Sequence, residues 1–466
     1  MWLLALLVLS IVFIILSTTR LRLHPFLALL LAAFGYGILS GKMPLAKVID
    51  SVNTGFGETI GSIGIVILAG SIIGTFLERS GGALNLAERV LKLVGHKNVP
   101  LAMGLIGYVV SVPVFCDSGY VILAPLAKAL SRRAKASLAA SAIALSLGLY
   151  ATHTMVPPTP GPVAAAGILK ADLGLVILWG TLVSLIALGA GWLFAVKVAA
   201  RVPLAIEEAR EEPDGPRAGG ASHGREVVPP LDPLALSTDG PSTLRAIVPI
   251  LLPIVLIVLK SLADLRPHAP FGTGGAAQFL SFIGHPVVAL LAGVFLAFTL
   301  PKKLTREMLS TSGWVGESVL AAATIIVITG CGGAFGRVLR NSGIADVLGQ
   351  NLSGSTGLSI LLPFAIAAVL KTAQGSSTVA IGATAGIVEP LLGALGLSGA
   401  NATALTVVAI GAGSMVVSHA NDSYFWVVTG FSKMTVKQGY KLQTLGTLVQ
   451  GGTAALVLWV ISLILL

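Results

Sequence analysis

Charged side chains are scarce in this chain: Asp, Glu, Lys and Arg make up 11% of 466 residues, against 55% hydrophobic. A soluble domain carries about 25% charged residues, so a water-soluble protein is excluded. Cysteine is scarcer still. Cys116 and Cys331 stand alone in apolar or Gly-rich sequence, which argues against a disulfide framework and a metal site. No Walker-type loop occurs, so no ATP-driven step is expected, and no other cofactor is suggested. The N-terminus lacks a basic n-region and a small-residue cleavage site; it reads as a retained first span. What remains is an all-α polytopic membrane protein. Its formal charge of +10 needs no nucleic-acid partner, because Lys and Arg cluster at the ends of apolar segments.

A span needs about 20 mostly apolar residues. The first half offers 2–19, 24–40, 59–77, 136–152 continuing past a break to 169, and 173–198. The second offers 245–260, 278–300, 316–333, 403–417 continuing past a break to 431, and 442–465. Two further apolar stretches, 99–130 and 358–395, are interrupted in the middle and read as re-entrant hairpins. The expectation is about ten full spans plus two hairpins. They fall into two repeats, 1–201 and 245–466, joined by a polar, Pro/Gly-rich linker at 202–244. Gly70, Gly74, Leu77, Ser80 and Gly81 lie at one constant offset from Gly332, Gly336, Leu339, Ser342 and Gly343. Basic clusters such as Arg20/Arg22, Arg132/Arg133, Lys302/Lys303 and Lys433/Lys437 all belong on the cytoplasmic side. That placement inverts the second repeat relative to the first, sets both termini outside and keeps the linker inside. Arg337 and Arg340 are the exceptions.

The chemistry concentrates where the apolar runs break. One break carries Thr152-His-Thr154 before a Pro-rich run, the other Ser418-His-Ala-Asn-Asp-Ser423. The hairpin tips carry Phe115-Cys-Asp-Ser-Gly-Tyr120 and Lys371-Thr-Ala-Gln-Gly-Ser-Ser-Thr378. Non-helical backbone persists in a membrane only where it lines a cavity or is buried in protein. Paired broken helices are the best pointer to a transporter's binding site. Orphan amides at such ends favour anions, and the many hydroxyls and amides suit a polyol. Ser118, Thr152, His153, Thr154, Lys371, Gln374, Ser376, Ser377, Thr378, His419 and Asn421 are therefore expected to bind a small anionic, hydroxylated molecule. Asp117, His153, His419 and Asp422 are the candidates to carry a proton, with His419 and Asp422 the first choice. The plainer alternatives are a helix-capping carboxylate, a structural histidine and a snorkelling lysine.

At these residues the chain resembles the gluconate permease (GntP) family of bacterial sugar-acid:proton symporters. The likeness rests on Val114-Phe-Cys-Asp-Ser-Gly-Tyr120, Thr152-His-Thr-Met-Val-Pro-Pro-Thr-Pro-Gly-Pro162, Gln374-Gly-Ser-Ser-Thr-Val-Ala380 and Ser418-His-Ala-Asn-Asp-Ser-Tyr-Phe-Trp426. It implies uptake of gluconate or a related acid, such as idonate, fructuronate, glycerate or D-serine, across the bacterial inner membrane. It further implies inverted repeats, a homodimer and elevator-type movement. Sodium-coupled members of the wider superfamily use Ser-Asn-Thr motifs at the breaks, whereas this chain has Asp117-Ser-Gly119 and Thr152-His-Thr154. The rival readings are a sodium-coupled carboxylate carrier, a passive channel, and an intramembrane hydrolase built on Ser418, His419 and Asp422.

Overall fold

The computed structural model describes residues 2–95, 98–204, 240–263, 274–344, 347 and 359–466, and among them every regular element is helical. Most of the expected linker, residues 205–239, lies outside the described residues. The first half runs α1 (Trp2–Thr19), α2 (Pro25–Leu39), α3 (Leu45–Arg79), α4 (Gly82–Val94) and α5 (Val99–Val110). It continues with α6 (Cys116–Arg133), α7 (Leu138–Met155), α8 (Pro160–Leu169) and α9 (Leu173–Lys197). The second half runs α10 (Thr243–Ala263), α11 (Gly275–Ile283), α12 (Pro286–Ala297), α13 (Trp314–Asn341) and α14 (Leu361–Gln374). Then come α15 (Ser377–Val388), α16 (Ala400–Gly413), α17 (Ser423–Phe431), the short α18 (Val436–Gly439) and α19 (Leu445–Leu465). Each half thus presents its first helices, an interrupted pair (α5/α6, α14/α15), a broken pair (α7/α8, α16/α17) and a last long helix.

Six segments among the described residues are long and apolar enough to cross a membrane, or seven if α11 and α12, bent by 61°, form one span. The other expected spans are made of shorter apolar helices: α1, α2 and the α16–α17 pair. Burial separates centre from periphery. The most apolar window of residues 138–169 is 100% buried, against 28% for 436–465. A helix covered on every side is core, and one that leaves leucines outward faces lipid.

The two breaks have different causes. Pro157, Pro158, Pro160 and Pro162 remove backbone donors and bias their predecessors away from the helical region. Pro160 then opens α8, where its missing N–H would have been unpaired anyway. The second break contains no proline. Val417 adopts φ 56°, a conformation rarely taken by a β-branched residue. Neighbours hold it there: the Ser418 amide donates to Thr447 Oγ1 at 3.1 Å, and the Thr444 hydroxyl donates to the Ser418 carbonyl at 2.5 Å.

The long helices α3 and α13 pack along each other and run antiparallel. Glu58, early in α3, pairs with Arg337, late in α13, at 2.9 Å. Arg79, at the end of α3, pairs with Glu317, in the first turn of α13, at 2.8 Å. From Glu58 to Arg79 the helix rises about 32 Å, close to the roughly 30 Å of hydrocarbon in a bilayer. The two ion pairs therefore bracket the apolar slab, and the two arginines that break the charge rule are neutralised, Arg340 by Glu389.

Glycine lets the hairpin approach this frame. A Cβ on Gly332 or Gly336 of α13 would sit 2.7 Å from the carbonyl oxygen of Gly382 or Gly386 in α15, so two small-xxx-small faces meet backbone to backbone. In the first half, Gly70 and Gly74 of α3 similarly face the carbonyls of Pro158 and Pro113. The repeated glycine spacing is thus a repeated close contact. Gly386→Val is expected to lower stability by about 1–3 kcal/mol through overpacking, measured by thermal unfolding in detergent. Gly189→Ala, whose added carbon meets nothing within 4 Å, serves as the control. Equal melting of the two variants would refute the close contact.

Candidate functional site

Four helices begin at the centre of the molecule: α6 and α15, the second arms of the interrupted pairs, and α8 and α17, the second halves of the broken ones. The first turns of α6, α15 and α17 present amides without intrahelical acceptors and carry about half a positive charge each, whereas Pro160 and Pro162 leave α8 only the Gly161 amide in its first three positions. Part of that demand is met locally. Ser376 accepts from the Val379 amide at 3.3 Å, and Asp422 Oδ1 accepts from the Tyr424 amide at 3.1 Å.

Asp422 does more than cap. Its Oδ2 accepts from Lys371 Nζ and from the Ser418 hydroxyl, both at 2.6 Å, and the lysine also donates to the Gly375 carbonyl. Side-chain exposure is 0% for Lys371 and 5% for Asp422, so this is a fully desolvated ion pair rather than a snorkelling lysine. It ties the α14/α15 tip to the α16/α17 break. Two further side chains complete the stitch. His419 Nε2 lies 2.8 Å from the Thr372 carbonyl, and Asn421 donates to the carbonyls of Thr372 and Ala373. A carbonyl only accepts, so Nε2 of His419 carries a proton. The chain turns at Gly375 with φ 85°, and a side chain there would collide with the Asn421 carbonyl.

The first-half segments approach the same place. Asp117, in the first turn of α6, lies within electrostatic reach of Asp422, and its neighbour Cys116 directs its thiol at the Asp117 carboxylate at 3.6 Å. Among the described residues Asp117 forms no ion pair; its carboxylate has the Cys116 thiol and the Ser423 hydroxyl as hydrogen-bond neighbours. His153 sits between Phe115 and Tyr150, at ring separations of 6.0 and 6.5 Å, and its buried Nδ1 has no hydrogen-bond partner. It borders a narrow pocket shared with Gly70, Ser71 and Thr159.

The other expected residues divide. Gln374 has both its amide nitrogen and its oxygen buried without a partner, the one side chain here with two vacant polar atoms. Ser377 lies beside the Tyr150 hydroxyl, which itself closes no hydrogen bond of normal geometry. Thr378 follows it in the first turn of α15. The Thr152 hydroxyl donates to Tyr108 O and that of Thr154 to Tyr150 O, both at 3.0 Å, so each proton is already committed to backbone. Ser118 hydrogen-bonds Glu78 of α3. Ser418 bonds Asp422 directly while His419 bonds backbone, an arrangement without the Ser–His–Asp order that nucleophilic hydrolysis requires.

Two aromatic residues escaped the sequence reading. Tyr150 and Tyr424 pack at 4.9 Å between ring centres, and Lys371 Nζ stands 6.0 Å from the Tyr150 centroid. The available signal is position: Tyr424 is the second residue after its break, and Tyr150 lies five residues before the end of α7.

The centre thus holds one cation, two carboxylates, four helix N-termini and a vacant amide, a set suited to an anion bearing hydroxyls. Comparisons with known proteins give the family. The GntP family permease model matches residues 2–464. A gluconate permease of Pseudomonas aeruginosa is 34% identical over 438 residues, 93% of this chain and 92% of that one. The D-serine transporter DsdX of Escherichia coli is 32% identical, covering 100% of this chain and 99% of that one. In fold, the chain is similar to the Alcanivorax borkumensis YdaH transporter at TM-score 0.65, covering 94% of this chain and 98% of that one at 16% identity. Whole-length matches to permeases and the apolar helices lead to one conclusion: the chain belongs to the GntP permease family, a multi-pass membrane transporter and not an enzyme.

Proposed function

We propose that this permease takes up gluconate or a related sugar acid by proton symport across a bacterial inner membrane. The relatives named for gluconate support the substrate class. The observation that carries the coupling is the charge balance of the buried centre. Lys371 and Asp422 cancel, which leaves Asp117 as the carboxylate that can take a proton without breaking an ion pair. Protonating it removes the negative charge that would repel an entering carboxylate, so proton and anion favour each other's binding, and linkage makes that reciprocal. From sequence alone His419 and Asp422 are the first candidates for the proton. Their contacts with Thr372 and Lys371 argue for Asp117 instead, with His153, whose Nδ1 is unpartnered, as the nearest alternative. The substrate's carboxylate is assigned to the helix N-termini near Lys371, and its hydroxyls to Gln374, Ser377 and Thr378.

Inverted repeats fit the antiparallel course of α3 and α13, the corresponding long helices of the two halves. The glycine faces between α13 and α15 are compatible with an elevator-type slide of the hairpins and broken helices along the α3/α13 frame. The direct test is radiolabelled uptake into proteoliposomes, comparing gluconate, glycerate, fructuronate and D-serine under an imposed pH gradient and under a sodium gradient. Accumulation driven by sodium and indifferent to pH would overturn proton symport. Gln374→Leu is expected to weaken substrate affinity about five- to two-hundred-fold, the loss of about 1–3 kcal/mol of buried hydrogen bonding. An unchanged half-saturating concentration would remove Gln374 from the site.

A further inference from the structure

A cleft of about 520 Å³ opens between α3, α8, α13 and the far end of α15, apart from the central site. Three cations line it, Lys170, Arg337 and Arg340, against two carboxylates, Glu58 and Glu389. One positive charge is therefore in excess. The two arginines lie one turn apart on α13 but are held differently. Arg340 is paired with Glu389, a carboxylate only 13% exposed, and forms a fixed wall. Arg337 is paired with Glu58, which is 57% exposed and reaches from the neighbouring helix. Exposed pairs of this kind contribute little, so a competing carboxylate can take the guanidinium. Lys170 ends α8 in the left-handed conformation with φ 53°, is exposed, and makes no ion pair among the described residues.

We infer that this cleft is a capture site for the carboxylate of the sugar acid before it reaches the centre, with Lys170 and Arg337 as its ligands. The inference rests on the proposed function and topology, which put this end of α3 and α13 outside the cell. Three features support it beyond charge. Apolar and backbone walls around a small excess of one sign focus the field and raise the local concentration of the opposite ion. Thr59 and Ser62 line the side nearer the membrane; their hydroxyls donate to the α3 backbone and offer a hydroxylated guest their oxygens as acceptors. The helix α8 then joins the two places: Gly167 and Ile168 border the cleft, while Thr159 and Pro160 border the His153 pocket, about 12 Å away at 1.5 Å per residue. An anion held at the mouth is thus one short helix from the central helix N-termini.

The test is initial-rate uptake of radiolabelled gluconate into right-side-out vesicles, with efflux from the other face as the internal comparison. Lys170→Gln and Arg337→Gln are each expected to raise the half-saturating external concentration about two- to five-fold, with a smaller change in maximal rate. The wild-type value should rise with ionic strength, and that slope should flatten in the variants. Glu58→Gln is expected to lower the external value, because it releases Arg337 for the substrate. A purely structural ion pair would make Glu58→Gln behave like Arg337→Gln, and that result would overturn the capture site. So would equal effects on both faces, or no effect of Lys170→Gln in vesicles that still accumulate gluconate. Failure of the wild type to accumulate any sugar acid would instead refute the proposed function.

Discussion

Lys371→Met is expected to destabilise the protein by about 3–5 kcal/mol, because it leaves the Asp422 carboxylate buried without a countercharge. Asp422 would retain only the Ser418 hydroxyl and the Tyr424 amide, and the tie between the α14/α15 tip and the α16/α17 break would be reduced to the His419 and Asn421 contacts with Thr372 and Ala373. Asp422→Asn alone leaves the opposite defect, a buried ammonium whose remaining partner is the Gly375 carbonyl. Replacing a whole buried pair by neutral groups is often close to neutral. The double variant Lys371→Met/Asp422→Asn is therefore expected to recover most of the thermal stability in detergent while transport stays abolished. That split separates the pair's two roles: cancelling buried charge, which the double variant still achieves, and presenting charge to a ligand, which it does not. If Lys371→Met melts at the wild-type temperature, the pair is not the fully desolvated one the geometry describes.

Much of the architecture is legible in the sequence alone, and the reason is physical. Apolar blocks of span length, proline runs and Gly-rich tips are local signals, and in a membrane they must resolve as helices, breaks or hairpins. Residues 99–110 and 116–133 became two helix arms, and 138–155 and 160–169 the halves of a broken one, as those signals imply. Partnership was not legible. Lys371 and Asp422 are 51 residues apart on different elements, and no spacing rule says that the lysine meets this acid and not Asp117. Direction within a break was equally hidden. Thr152 and Thr154 both flank His153, but a helix turns about 100° per residue, so neighbours two apart face different surroundings. Their hydroxyls found carbonyls on α5 and α7. Tyr150 and Tyr424 went unremarked because an aromatic residue in an apolar run ordinarily signals core packing, which both also do.

Asp117→Asn is expected to abolish pH-driven accumulation while leaving substrate exchange. A monoanion entering a negative-inside cell is opposed by about 2.3 kcal/mol per 100 mV, so it needs at least one accompanying proton to cross without that opposition. With one proton per anion the cycle is electroneutral, and each pH unit supplies about 1.4 kcal/mol, or about ten-fold accumulation. An amide at position 117 mimics the protonated acid in size and charge but cannot release the proton inside. The variant should therefore still bind and exchange labelled substrate in counterflow, since the centre keeps the neutral state that admits the anion. Net accumulation should fall to equilibrium, and the affinity should lose its dependence on external pH. His419→Gln distinguishes the alternative, because it removes the titratable ring and keeps a donor for the Thr372 carbonyl. Should Asp117→Asn still concentrate substrate about ten-fold per pH unit while His419→Gln does not, the proton rides on the second break and not on the first hairpin.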